Sequence, residues 1–255
     1  MKKVAIICGA GPVGSAAACA LSEAGIDIAV LDENVERAES VVKKLDDVKA
    51  IALAYDTADE DSIRTAVQKV EEQMGRVDAL FNADLKIKRN AAKDVTLASF
   101  ETAFKENVLA YFCVARACAE IMAKNGGGRI VNLSSVHSHV ADGRHLEYAT
   151  VTNAINALTR ELATNYWKNN IQVNTIVAAF IDGQFPDEMD LDQRQTPEQI
   201  SLLGRRITPE DLAKTVRFLF TSDTKVVNGS EIRADAGYLT TQYRVGDVPF
   251  TKITD

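Results

Sequence analysis

Seven short runs of apolar and β-branched residues punctuate this chain between longer stretches of helical periodicity. They are Val4–Cys8, Ile28–Asp32, Ala50–Tyr55, Ala79–Asn82, Arg129–Ser134, Gln172–Val177 and Glu231–Ala234. Such alternation predicts repeated βαβ units. Because a strand–helix–strand crossover is right-handed, successive units lay their strands parallel and place helices on both faces of one sheet. The expectation is a three-layer, doubly wound α/β fold with a seven-stranded parallel sheet. At 255 residues and 46% hydrophobic content the chain can bury such a core as one domain over residues 1–255. The one break in composition is the acidic, irregular stretch Asp182–Gln195, read as a substrate loop near residues 180–205 or as plain surface loop.

The first strand runs into Gly9-Ala10-Gly11-Pro12-Val13-Gly14, which opens a helix over Ser15–Glu23. Glycines there let backbone amides at a helix N-terminus approach a dinucleotide diphosphate. Asp32 ends the second strand 18 residues after Gly14, where a carboxylate can accept hydrogen bonds from an adenosine ribose. That carboxylate would repel a 2′-phosphate and no Arg immediately follows it, so NAD is expected as cofactor. The alternative is a tight turn with Asp32 capping a loop. Asp56, with Thr57 beside it, closes the third strand on the same edge, either holding adenine or capping the helix over Asp61–Gln73.

Several classes of function are disfavoured. A net charge of −7 without clustered Lys and Arg argues against nucleic acid as a partner. Cys8, Cys19, Cys113 and Cys118 form no CxxC pair and read as half-buried thiols, which fits a reducing cytoplasm. Lys2, Lys3 and the apolar run after them imitate a signal peptide, but Gly9, Gly11, Pro12 and Gly14 would break its helix. No run of about 20 apolar residues occurs to cross a membrane.

Further landmarks follow in order: Asp78-Ala79-Leu80-Phe81-Asn82-Ala83, Asn107-Val108, Arg129-Ile130-Val131-Asn132-Leu133-Ser134-Ser135, Tyr148, Gln172-Val173-Asn174, Gly204-Arg205 and Pro209-Glu210-Asp211. With the glycine turn and Asp56, this series resembles the classical short-chain dehydrogenase/reductase family over nearly the whole chain. The resemblance implies a Rossmann fold, a small-molecule substrate, and a homodimer or homotetramer paired through two long helices, here Ser99–Lys124 and Tyr148–Trp167. It also implies catalytic roles for Asn107, Ser135 and Tyr148, and places Asn82, Ala83 and position 152 against the cofactor. Tyr148 would exchange the proton of the reacting oxygen, Ser135 would hold that oxygen, and Asn107 would orient a water or neighbouring group.

The chain departs from the family at the same cleft. Where the family carries Tyr-x-x-x-Lys, this chain has Tyr148-Ala149-Thr150-Val151-Thr152. Thr152 can neither bind ribose as an ammonium does nor favour tyrosinate, and an unassisted phenol with a pKa near 10 is ionised in about one molecule in a thousand at pH 7. The glycine turn is one residue short, the Asn-Ala-Gly turn reads Asn82-Ala83-Asp84, Pro-Gly after the sixth strand reads Ala178-Ala179, and Asp-Gly-Gly reads Asp235-Ala236-Gly237. Asp84 would either repel diphosphate or pair with Lys86 or Lys88. All three histidines, His137, His139 and His145, fall between Ser135 and Tyr148 with Arg144 and Glu147. Their imidazoles can transfer protons or bind an anionic substrate with Arg144, can be structural, or can ligate a metal as His-x-His with Asp142 or Glu147. The leading reading assigns no metal and takes His137 as a fourth catalytic residue, two residues past Ser135 on an extended segment.

The sequence therefore points to an NAD-dependent oxidoreductase of a small polar hydroxy or oxo compound, with an altered site. The alternatives are a redox-inactive relative that binds NAD or a metabolite, and a lyase, isomerase or hydrolase on the same fold.

Overall fold

The structure, a computed structural model, describes residues 2–183 and 201–240. Its strands are β1 (Val4–Cys8), β2 (Asp27–Asp32), β3 (Ala50–Ala54), β4 (Ala79–Asn82), β5 (Gly128–Ser135), β6 (Ile171–Ala178) and β7 (Glu231–Ala234). They form one parallel sheet in the order β3-β2-β1-β4-β5-β6-β7. The seven-stranded doubly wound architecture is as expected. Between strands lie α1 (Pro12–Ser22), α2 (Val35–Val42), α3 (Glu60–Met74), α4 (Leu97–Phe104), α5 (Ala110–Lys124), α6 (Leu146–Tyr166) and α7 (Pro209–Thr221).

Period-two alternation divides each strand between two cores. Ala5 and Ile7 of β1 join the layer of α1, α2 and α7, while Val4, Ile6 and Cys8 join that of α3, α5 and α6. The helix ends follow local chemistry. Asp59 caps α3 by accepting the Asp61 amide at 2.9 Å, and Gly75, at φ 83°, ends it in the left-handed region. Thr208 and Asp211 form a reciprocal capping box ahead of α7, with Pro209 in its first turn.

The long helix expected over Ser99–Lys124 is two α-segments joined by a π-turn at Lys105–Leu109. Of the apolar rows along the two long helices, Val108, Tyr111, Ile155 and Leu162 are buried in the chain's own core, Phe112, Leu158 and Tyr166 are partly buried against it, and Phe104 stays 36% exposed. These rows serve mainly intramolecular packing. All four cysteines are free thiols. No helix of the described residues is long and apolar enough to cross a membrane. The expected loop Asp182–Gln195 lies, from residue 184 on, outside the described residues.

Sheet order reverses between β1 and β4: β2 and β3 are laid down on one side of β1, and β4 to β7 on the other. At such a reversal the crossovers leave in opposite directions and open a crevice at the carboxyl ends of the strands. Cys8 of β1 is in register with Leu31 and Asn82, so the segments after β1, β2 and β4 emerge side by side there.

Candidate active site

The three glycines after β1 are not equivalent. Gly9 adopts φ +101°, and a Cβ on it would lie 2.9 Å from the Asp84 backbone nitrogen. It permits both the tight turn and the approach of the β4 loop. A Cβ on Gly14 would sit 1.8 Å from the Gly9 carbonyl oxygen, so Gly14 lets α1 pack onto the turn. A Cβ on Gly11 would meet nothing within 4 Å. Gly11 also caps α1 without a side-chain hydrogen bond, and Pro12 follows it in the first turn. The open side of the turn is thus a helix N-terminus bare of side chain, which fits the backbone approach of a dinucleotide diphosphate. Val13 is buried against the core behind it.

The ribose end is already furnished with ion pairs. Asp32 is buried, and its Oδ2 accepts from the Ala10 amide at 2.7 Å and from the Arg37 guanidinium at 2.8 Å, while Oδ1 accepts from the Asn34 amide at 2.9 Å. No Arg immediately follows Asp32 in sequence, yet Asn34 caps α2 and turns Arg37 back onto the carboxylate. Lys86 from the β4 loop ion-pairs with Glu33 from the end of β2, and lies 3.9 Å from Asp84. Thr57 donates its hydroxyl to Glu33 at 2.5 Å. Since β1 lies between β2 and β4, the Lys86–Glu33 pair spans the carboxyl end of β1. Burial pushes the Asp84 carboxyl above its ordinary pKa against the pull of Lys86; Glu33 is held low by its bonds to Lys86 and Thr57 despite some desolvation. Asp56 is exposed and accepts the Ala58 amide at 2.7 Å in a turn of its own, the cap of α3 being Asp59.

Asn82 is directed inward. Its Nδ2 donates to Asn132 at 2.8 Å, Asn132 donates to Thr159 at 2.9 Å, and Thr159 meets Thr175 at 2.6 Å, a buried polar ladder joining β4, β5, α6 and β6. Ala83 is partly buried beside it, its amide bonded to the Cys8 carbonyl.

At the other side of the crevice, β5 ends at Ser135 and α6 begins at Leu146. Tyr148 is buried in the first turn of α6, and burial drives its pKa well above the usual phenol range against the opposing influence of the nearby Ser135 hydroxyl. Asn107 sits in the π-turn, fully buried, with Oδ1 accepting the Lys86 amide at 2.7 Å and Nδ2 donating to Ala103. π-turns often mark functional sites, and this one ties the catalytic side to the β4 loop. Tyr111, one turn on, has a buried hydroxyl with no hydrogen-bond partner among the described residues.

The histidines divide. His139 binds Glu231 of β7 at 2.9 Å and leaves the crevice. His137 and His145 meet, with ring centroids 4.5 Å apart, and lie 5.6 Å and 6.1 Å from the Tyr148 ring. The extended segment expected here is instead a 3-10 turn, Val136–Ser138, because the Ser135 hydroxyl accepts the His137 amide and caps it. The turn, not strand alternation, brings His137 to Tyr148. His145 Nδ1 is 2.8 Å from Asp142, a pairing that sequence spacing did not single out from other carboxylates nearby. Burial, and then His145, hold the His137 pKa below its ordinary value.

Over residues 9–239 the chain matches the family model described as enoyl-(acyl carrier protein) reductase. It belongs to the short-chain dehydrogenase/reductase family. Among characterised relatives, D-threitol dehydrogenase of Mycolicibacterium smegmatis is 27% identical over 240 residues, covering 92% of each chain. The 2-dehydro-3-deoxy-D-gluconate 5-dehydrogenase of Dickeya dadantii is 29% identical over 243 residues, covering 93% of this chain and 95% of its own. Acetoin dehydrogenase from Salmonella typhimurium superposes with a TM-score of 0.85 at 27% identity, covering 94% of this chain and 97% of the other. The family is one of oxidoreductases that bind nicotinamide cofactors.

Thr152 lies one helical turn after Tyr148 in α6. It is fully buried, and its hydroxyl is turned back on the helix, toward the carbonyls of Tyr148 at 2.9 Å and Ala149 at 3.1 Å. In this conformation it presents no donor to a ribose.

Proposed function

We propose that this chain is an NAD-dependent oxidoreductase of small polar hydroxy or oxo compounds, with Tyr148 and Ser135 at the reacting oxygen. The observation that carries the reading is the placement of the buried Tyr148 phenol beside the Ser135 hydroxyl at the carboxyl end of β5, where the sheet opens its crevice. Gly9, Gly11, Val13 and Gly14, with Pro12 in the first turn, would hold the cofactor's diphosphate; Ala83 and Thr57 would flank its adenosine half. The nicotinamide ring, when bound, supplies or accepts the hydride. Tyr148 then moves the proton of the substrate oxygen and Ser135 fixes that oxygen by a hydrogen bond. His137, in edge contact with Tyr148, is the nearest imidazole to take that proton onward, and Asn107 holds the floor between the two halves.

NAD rather than NADP is favoured by charge. Arg37 and Lys86, the two cations at the ribose end, are each paired with an acid, and Asp32, Glu33 and Asp84 leave no unspent positive charge for a 2′-phosphate. Substrates related to polyols, sugar acids and acyloins are the first to test, given the relatives' activities. The free cysteines support a reducing cytoplasm as the setting, and the family frame supports a homodimer or homotetramer.

The test is turnover followed by reduced-nicotinamide absorbance with NAD or NADP, across a panel of vicinal diols, aldonates and acyloins. NAD-linked turnover is expected; turnover with NADP alone removes the charge argument. The inward-turned Thr152 hydroxyl favours a second reading, a relative that binds the dinucleotide without redox turnover. Calorimetric NAD binding without turnover on any member of the panel would select it.

A further inference from the structure

His137, which the dehydrogenase reading places beside Tyr148, also belongs to a side-chain group that the reading does not require. His137, Asp142 and His145 each present a ligand atom, and the three atoms lie within 4.8 Å of one another. His137 is placed by the 3-10 turn after β5, whereas Asp142 and His145 come from the loop that leads into α6. The geometry points to a divalent transition-metal site formed by these three residues, beside Tyr148.

Four observations support it. Two imidazoles and one carboxylate form the N₂O donor set that zinc and its neighbours take in sites that keep positions open for a further ligand. Tetrahedral ligands at about 2.0–2.1 Å from zinc stand about 3.3 Å apart. The present spacing needs a closure of about 1.5 Å, which side-chain rotation can supply, since the ligands lie on a 3-10 turn and a loop rather than inside rigid strands. The carboxylate is already aimed: Asp142 Oδ1 accepts the Arg144 amide at 2.9 Å, leaving Oδ2 at the His145 ring. Such outer contacts are what orient ligands before an ion arrives. Finally, His137 Nδ1 is buried with no hydrogen-bond partner among the described residues, a cost a protein bears rarely unless something else engages the ring.

The donor set differs from the His-x-His arrangement that spacing suggested. His139 is held by Glu231 on the far side of the turn, and Glu147 is bonded to Asn90. A bound dication would also place positive charge next to Tyr148, where the family's lysine is missing, but the site does not depend on the redox reading and is tested by binding alone.

The experiment titrates chelator-treated protein with Zn²⁺ by calorimetry and with Co²⁺ by visible absorption. One ion per chain is expected, with Co²⁺ bands of four- or five-coordinate intensity. Asp142→Asn and His145→Gln should each weaken binding by about 10- to 100-fold or more, while His139→Gln should bind as the unmodified chain does. Circular dichroism confirms that the variants are folded; should one fail, the other carries the same readout. Binding that is absent, or that survives both substitutions, overturns the site and leaves Asp142–His145 a loop-bracing hydrogen bond. Either result leaves the nicotinamide assay of the preceding section unaffected.

Discussion

Two residues one helical turn apart separate the chemistry from its supporting structure. Tyr148→Phe keeps the ring that packs in the core and removes only the hydroxyl facing Ser135. Turnover should fall by about a hundred- to ten-thousand-fold, the usual worth of a positioned acid or base, with an unchanged melting profile. Thr152→Val should do the reverse of a catalytic lesion: it deletes a hydroxyl that serves the helix carbonyls, so stability should shift by no more than about 1 kcal/mol and kcat should hold. A collapse of kcat in Thr152→Val, measured beside Tyr148→Phe, would put Thr152 back against the ribose. That Ser135 ends β5, Tyr148 opens α6 and Asn107 is buried beside the β4 loop was legible from motif order. The role of Thr152 was not, because spacing gives a side chain's position along a helix but not the carbonyl its hydroxyl chooses. Arg37 was illegible for a related reason: five residues from Asp32, it returns only because Asn34 starts a helix between them.

Among the elements, the turn into α1 offers a paired prediction. Gly14→Ala forces a methyl against the Gly9 carbonyl, 1.8 Å away, and should destabilise the fold on the order of 3 kcal/mol. Gly11→Ala meets no atom, so its melting temperature should be nearly unchanged while dinucleotide binding, followed by calorimetry, weakens because the methyl fills the diphosphate approach. Unaltered NAD affinity in Gly11→Ala would show that the diphosphate does not lie there. The start of α7 predicts acid behaviour. Asp211, bonded to Arg205 and to the Thr208 amide, has its pKa lowered from 3.8 to about 2. A depressed carboxyl pKa means that the folded state prefers the carboxylate, so this contribution is full above about pH 4 and disappears as pH falls toward 2. Asp211→Asn should therefore cost about 1 kcal/mol at neutral pH, and the difference from the unmodified chain should shrink through that acid window in urea melts. Strands and crossovers of this kind were readable because each depends on a pattern spread over many neighbours in sequence, whereas the cap of α3 is Asp59 and not Asp56, a choice made by one carboxylate. The π-turn at Lys105–Leu109 and the 3-10 turn at Val136–Ser138 were not, since one follows from tertiary packing around Asn107 and the other from a single hydroxyl cap.

For the whole molecule, the assembly expected from the family is checked by light scattering at micromolar concentration, where a dimer or tetramer mass is expected and a monomer mass overturns it. The apolar rows on the two long helices do not decide the matter, half of their residues being buried in the chain's own core and half partly or wholly exposed. The pair of Lys86 and Glu33 across the carboxyl end of β1 has a kinetic consequence. An incoming dinucleotide is anionic, the chain carries a net charge of −7, and the pair lies across the carboxyl end of β1, the strand that leads into the glycine turn. Added salt screens both the long-range repulsion and the partly exposed pair, within a Debye length of about 8 Å at 0.15 M. Stopped-flow association of NAD should therefore accelerate as ionic strength rises, the opposite of the slowing seen when attraction steers a ligand in. In Lys86→Met, which leaves Glu33 and Asp84 without their cation, the repulsion is larger, so the rate should start lower and rise more steeply with salt. A rate that falls with salt in the unmodified chain would mean that the crevice draws the dinucleotide in against the charge of the chain as a whole.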